Sequence, residues 1–180
     1  MKKKSILTMV VSLALVGAVA AGSTLAYLTS KTAAATNTFT VGNVTVAQTE
    51  PNWKETDKLN NLVPGVVLTK DPTFTVGSTS EDCYVYMKIA IPDTKLASVV
   101  EFNIDSNKWQ AVTGQVGVYK YYQKVAAGAT DTLFTTVTVK STATSDDMTA
   151  ISDKTIKIST CAVQANELKG TDPDTLISFN

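Results

Sequence analysis

The chain has 180 residues, 44% of them hydrophobic, and its 16 basic groups, all lysine, balance 16 acidic ones. With no histidine and no arginine, a Ser-His-Asp triad, a Cys-His pair, an imidazole zinc site and a bidentate guanidinium clamp are all excluded. Zero net charge and no basic cluster in the body of the chain argue against nucleic acid as a partner. The 28 threonines and 21 valines, β-branched residues that suit a pleated surface, predict an all-β protein that is not an enzyme.

The chain opens on Lys2, Lys3 and Lys4, followed by an apolar run over residues 6–21 and small residues up to Ala26. This is the layout of a secretory signal peptide over residues 1–26. The competing reading is a retained membrane anchor, for which the run is short against the roughly 20 residues a span needs. Cleavage is expected between Ala26 and Tyr27, with Ala26 at the −1 position and Thr24 at −3. Ala18-Val19-Ala20 also fits a small-x-small rule, but it lies inside the apolar run. The first cysteine is Cys83, so no lipid attachment is expected, and the C-terminal residues carry no hydrophobic tail or LPxTG-like sorting motif. The membrane is therefore expected to hold only the precursor. The mature product belongs outside the cell, secreted into an extracellular matrix or at the cell surface. Removing residues 1–26 takes three lysines and no acid, leaving 13 basic against 16 acidic groups and a net charge of −3.

Beyond the leader, residues 27–38 contain few large apolar side chains and precede the first strong strand pattern. Phe39 and Val41 alternate with threonines, Gly42-Asn43 interrupts, and Val44 and Val46 resume one residue out of phase, which predicts a bulge or tight turn. Further strands are expected where apolar and polar residues alternate with period 2. These are at Phe74 and Val76; along Cys83, Val85, Met87, Ile89 and Ile91, with Tyr84, Tyr86 and Lys88 on the other face; along Leu133, Thr135, Val137 and Val139; and at Ile156 and Ile158. Pro64-Gly65, Asp71-Pro72, Pro92-Asp93, Ala127-Gly128 and Asp172-Pro173 mark turns. Two short helices fit residues 93–100 and 145–152, the second capped by Asp146 or Asp147. Many short strands without a long helical pattern suggest a β-sandwich or jelly roll over residues 39–180.

The chemistry on offer is sparse. Cys83 and Cys161, outside the cell, invite a disulfide, and closing so long a loop is worth roughly 4–5 kcal/mol in the chain-entropy picture. Strand parity argues against it, since Cys83 shares a face with Val85 and Cys161 with Lys157 and Ser159. Asp146 and Asp147 with Asp153, or Asp172 with Asp174, could bind calcium weakly, but neither matches EF-hand spacing and both read better as solvated loop acids. Tyr119, Tyr121 and Tyr122 with Trp109 suggest either a sugar platform or, more ordinarily, core and cross-strand pairs. No cofactor and no metal are expected.

The segment from the expected cleavage point onward, residues 26–53, resembles the camelysin/TasA family, whose members are exported by a dedicated signal peptidase of the SipW type. The resemblance rests on an aromatic start after cleavage, a Thr/Asn-rich stretch, and an N-x-F-x-x-G element, here Asn37-Thr38-Phe39-Thr40-Val41-Gly42. It continues through Val63-Pro64-Gly65, Lys70-Asp71-Pro72, Tyr84-Val85-Tyr86-Met87-Lys88 and Ala162-Val163-Gln164-Ala165-Asn166. It implies a jelly-roll-like β-sandwich preceded by a free N-terminal donor segment over residues 27–38, with Tyr27, Leu28, Thr29, Ser30, Lys31, Thr32, Ala33 and Ala34 at its head. It implies a structural subunit of an extracellular or biofilm matrix fibre, in which each copy adds that segment as a strand to the next. The partners so implied are other copies of the chain in a homopolymer, a SipW-type signal peptidase during export, and an accessory fibre protein. Two alternatives stand beside it: an accessory or anchoring subunit of the fibre, and a camelysin-type secreted metallopeptidase. The absence of histidine leaves the second without its usual zinc ligands.

Overall fold

The computed structural model describes residues 43–53, 63–152 and 154–179. The expected signal peptide, its cleavage point at Ala26 and Tyr27, the donor segment 27–38 and the strand opening at Phe39 lie outside the described residues. So does Asp153. Among the described residues the fold is all-β, with ten strands and two short helices. The strands are β1 (Val46–Thr49), β2 (Val67–Thr69), β3 (Thr73–Val76), β4 (Cys83–Ala90), β5 (Val100–Phe102), β6 (Trp109–Ala111), β7 (Val118–Tyr121), β8 (Thr130–Thr132), β9 (Thr136–Val139) and β10 (Lys157–Gln164). They form three sheets, in the orders β1-β3-β8, β10-β4-β7-β6 and β2-β9-β5, and every pairing is antiparallel.

The alternation at β4 is the clearest in the sequence, and it sets the molecule's layering. Cys83, Val85, Met87 and Ile89 face the main core, where Phe74, Trp109, Tyr121, Leu133, Phe134, Val137 and Ile151 meet them. The opposite face of the same sheet is also covered. Tyr86 is fully buried there with Val112, Val118 and Val163, and Leu168, Ile177 and Phe179 from the C-terminal segment pack against them. A strand whose pattern reads as one-sided is thus buried on both sides, because tyrosine can hide its ring while its hydroxyl keeps a partner.

The aromatics implied by the Trp109, Tyr119, Tyr121, Tyr122 set are mainly core. Trp109 and Tyr121 stand opposite each other on β6 and β7. Both meet the Phe74 ring edge-on, at centroid distances of 5.8 Å and 5.4 Å. Tyr122 alone remains exposed.

Two sequence expectations change. The run 133–140, read as one strand, is shortened to β9: residues 133–135 form the crossing between β8, which pairs with β3, and β9, which pairs with β2 and β5, so the chain passes from one sheet to another. Leu133 and Phe134 are buried consecutively at that crossing, which a continuous strand on a one-sided sheet cannot do. The second helix, α2 (Ser145–Ile151), is capped by Thr144 rather than by an aspartate. Asp147 instead sits at the third position and closes a capping box back to the Thr144 N–H. The first helix, α1 (Thr94–Val99), is capped by Asp93 inside the range expected for it.

The cysteines are both free thiols. In the β10–β4 register Cys83 lies opposite Gln164 and Cys161 opposite Tyr86, so the two occupy opposite faces of one sheet. Strand parity decides against the disulfide. Burial, with the Asp82 charge adding to it, pushes the Cys83 thiol up, whereas Cys161 is only half-buried. One thiol per chain, Cys161, should therefore react with a maleimide under native conditions, and the second only in denaturant. Equal native reactivity of both, read by intact mass, would contradict this placement.

Gly117 shows why one turn tolerates no side chain. It holds φ at +71° and its α-carbon is tucked against the Ile89 carbonyl, while Ile89 N–H donates to the Gly117 carbonyl at 2.8 Å. Any Cβ would collide with main chain.

Candidate functional site

The β2 strand begins after the Val63-Pro64-Gly65 turn, where Gly65 takes φ of +84°. The Val66 carbonyl accepts from the Val139 N–H, and the Lys70 N–H donates to the Thr135 carbonyl of the β9 segment. In an antiparallel ladder the intervening residues point their N–H and C=O groups away from the partner strand. Val67 and Thr69 therefore face outward, and neither has a main-chain partner among the described residues. The Val67 side chain is 57% exposed and Val63, beside the turn, 55% exposed. An open edge carrying exposed valines is a template for a further strand.

Behind that edge lies a cleft of about 190 Å³. Leu68, Val100, Val137 and Val139 form its floor from the three strands of one sheet, and Leu96, Ile151 and Ile156 form its walls. Lys70 stands at its mouth, held by Glu50 at 2.7 Å and stacked over the Trp53 ring at 4.6 Å. The arrangement can accept an apolar side chain, and the edge beside it can accept the main chain carrying that side chain. Nothing in the sequence pattern flagged this edge. The signal was present in Val66-Val67-Leu68-Thr69, a short apolar run directly after a turn.

Two other edge strands, β1 and β8, carry side-chain contacts to neighbouring segments. Gln48 of β1 donates to the Ile158 carbonyl and accepts from Thr160 Oγ1 at 2.6 Å, so its side chain bridges β1 to β10. At β8, Lys108 reaches Asp131 and Trp109 Nε1 donates to the Thr132 carbonyl at 3.0 Å.

Of the loop acids considered as calcium ligands, Asp147, Asp172 and Asp174 serve as caps and clasps. Asp147 takes Lys95 at 2.5 Å and the Thr144 N–H. Asp174 accepts from Tyr86 Oη and Lys120 Nζ, each at 2.7 Å, and Asp172 caps a short 3-10 turn. Asp71, not singled out by the sequence, is buried and accepts from the Asn52 N–H and Nδ2. Among the described residues no three His, Cys, Asp or Glu side chains come together as metal ligands. No helix among them is long and apolar enough to cross a membrane.

The bond from Lys95, and after it the bond from the Thr144 N–H, bring the Asp147 carboxyl down to about 2. Burial opposes ionisation of Asp131 and Asp174, yet the bonds from Lys108, the Thr132 N–H and Tyr121 to the first, and from Lys120 and Tyr86 to the second, outweigh it and hold both below the usual carboxylate range. The unfolded chain thus binds protons at these three sites before the folded one does. Stability is full above about pH 4 and is lost as pH falls toward 2. The Tyr86 and Tyr121 phenols shift upward, chiefly by burial and then by donating to Asp174 and Asp131. Here the unfolded chain ionises first, so stability is also lost above about pH 10. Urea midpoints across this range test both limbs; equal midpoints at pH 2.5 and pH 6 would refute the acid one.

Comparison of the chain with protein-family models, curated proteins and solved structures found no match.

Proposed function

We propose that the protein is a secreted structural subunit of an extracellular or biofilm matrix fibre, built on a jelly-roll-like β-sandwich. Residues 1–26 direct export and are removed by a SipW-type signal peptidase after Ala26. The freed segment from Tyr27 to Thr38 then adds as a strand to the next copy, head to tail. A head-to-tail contact that does not close gives filaments rather than rings.

The observation that supports this reading is the outer edge of β2, with the outward main-chain groups of Val67 and Thr69 beside an apolar cleft. Donor-strand addition needs both elements: ladder partners for affinity and a pocket for alternate side chains. Leu28 and Tyr27 are the large apolar residues at the head of the segment and suit such a pocket. The deciding experiment is negative-stain electron microscopy of the purified mature protein, in which filaments are expected. A dispersed monomer that cleaves casein in a chelator-sensitive manner would replace the fibre reading with the peptidase alternative.

A further inference from the structure

Past β10 the chain turns back on its own sheet through residues 167–170. Glu167, Lys169 and Gly170 hold φ of +59°, +47° and +86°, and the first two are the only non-glycine residues with positive φ among those described. Left-handed backbone is disfavoured for side-chain-bearing residues, so this short turn is strained. The strap that follows, residues 171–179, contains no fully buried residue. It nevertheless covers a face on which Tyr86, Val112, Val118 and Val163 are buried, with Ile177 and Phe179 laid against them.

The strap's polar hold converges on one residue. Tyr86 Oη and Lys120 Nζ both donate to the Asp174 carboxylate at 2.7 Å, and Gln115 Nε2 donates to the Asp174 carbonyl at 2.9 Å. Lys88 lies over the Phe179 ring at 5.7 Å. A crevice of about 520 Å³ runs between Asp172, Asp174 and Thr175 of the strap and Gln110, Thr113 and Gln115 of the β6–β7 hairpin. Cover and sheet are thus joined at one clasp and left apart beside it.

We propose that this strap exchanges between copies: residues 171–179 of one chain clasp the Tyr86–Val118–Val163 face of a second, and the second reciprocates. The fitting occupant of that face is the strap sequence itself, and a second copy carries the same one. Exchange reproduces every strap–sheet contact, and it lets Glu167 and Lys169 leave the left-handed region as the hinge extends. Short hinges under strain favour this outcome. The proposal concerns the C-terminal end and is independent of the N-terminal donor segment.

The test uses the clasp itself. Equal amounts of isotopically heavy and light mature protein are unfolded and refolded together at high concentration. Carbodiimide then links Lys120 to Asp174, and mass spectrometry sorts the linked peptides. Full exchange makes half of the Lys120–Asp174 pairs heavy–light; no exchange makes none. We expect a heavy–light fraction that rises with protein concentration in the wild type. It should approach one half when Lys169 and Gly170 are deleted, because the strap can then no longer fold back. Should that deletion prevent folding, as reactivity of Cys83 would show, the Glu167→Gly, Lys169→Gly double variant relieves the hinge without shortening it and should lower the fraction several-fold. Pairs of a single isotope only, in the wild type at every concentration, overturn the proposal, as does a double variant with an unchanged fraction.

Discussion

Deleting residues 27–38 from the mature chain is expected to leave a folded, soluble monomer that no longer polymerises. The main core is assembled from residues beyond that segment, Phe74 through Ile151, with Val44, Val46 and Ile158 packed against it. Every described strand finds its partner within residues 46–164. The truncation therefore removes the proposed donor without removing a ladder on which the domain depends. Placing Pro at Ala34 should act similarly, because proline removes one ladder donor and fixes φ. Size-exclusion chromatography and electron microscopy read both variants, and circular dichroism checks that the β-signal persists. Filaments that form at the wild-type rate from the truncated chain would sink the donor-strand account and leave lateral pairing of edges such as β2 as the better one.

Trp109→Ala should be the most damaging single side-chain truncation in the core. Trp109 is 2% exposed, packs edge-on against Phe74 and Tyr121, and donates from Nε1 to the Thr132 carbonyl. Its removal opens a cavity where the β6–β7 hairpin meets β3 and β8, which typically costs about 3–5 kcal/mol. The Thr132 carbonyl loses its donor as well, at about 1–3 kcal/mol if water does not replace it. A domain of this size should lose roughly 10–15 °C of melting temperature for about 4 kcal/mol. Trp109→Phe keeps most of the ring volume and should fall between the wild type and the alanine variant. A melting temperature for Trp109→Ala within about 3 °C of wild type would mean that the three rings do not carry the junction between the sheets.

The interior of β4 was legible because its period-2 alternation extends over eight residues and cannot be satisfied by a helix. The short helix within residues 93–100 and the turns at Pro64-Gly65 and Ala127-Gly128 were legible for a similar reason, since each uses chemistry local to a few residues. Strand parity at Cys83 and Cys161 was likewise local, and it separated the thiols correctly without knowledge of the partner strand.

Where the sequence misled, a distant partner had decided. In isolation residues 133–140 alternate like one strand, yet only Thr136–Val139 forms one, bonded to β2 and β5, while the preceding β8 bonds to β3. The break falls where Leu133 and Phe134 must both enter the core. Tyr86 reads as a solvent-facing residue until the C-terminal strap supplies Asp174 from 88 residues away. The short apolar run Val66-Val67-Leu68-Thr69 after a turn could mark β2 as a strand but not as an edge, because openness is a property of what fails to lie beside a strand. Composition and periodicity determined that this is a β protein and which faces of its longest strand are apolar, since those follow from backbone sterics and side-chain alternation. Only the tertiary structure decided which sheets those strands join, that β2 is an edge among the described residues and what covers the second face, because each depends on contacts between residues far apart in the chain.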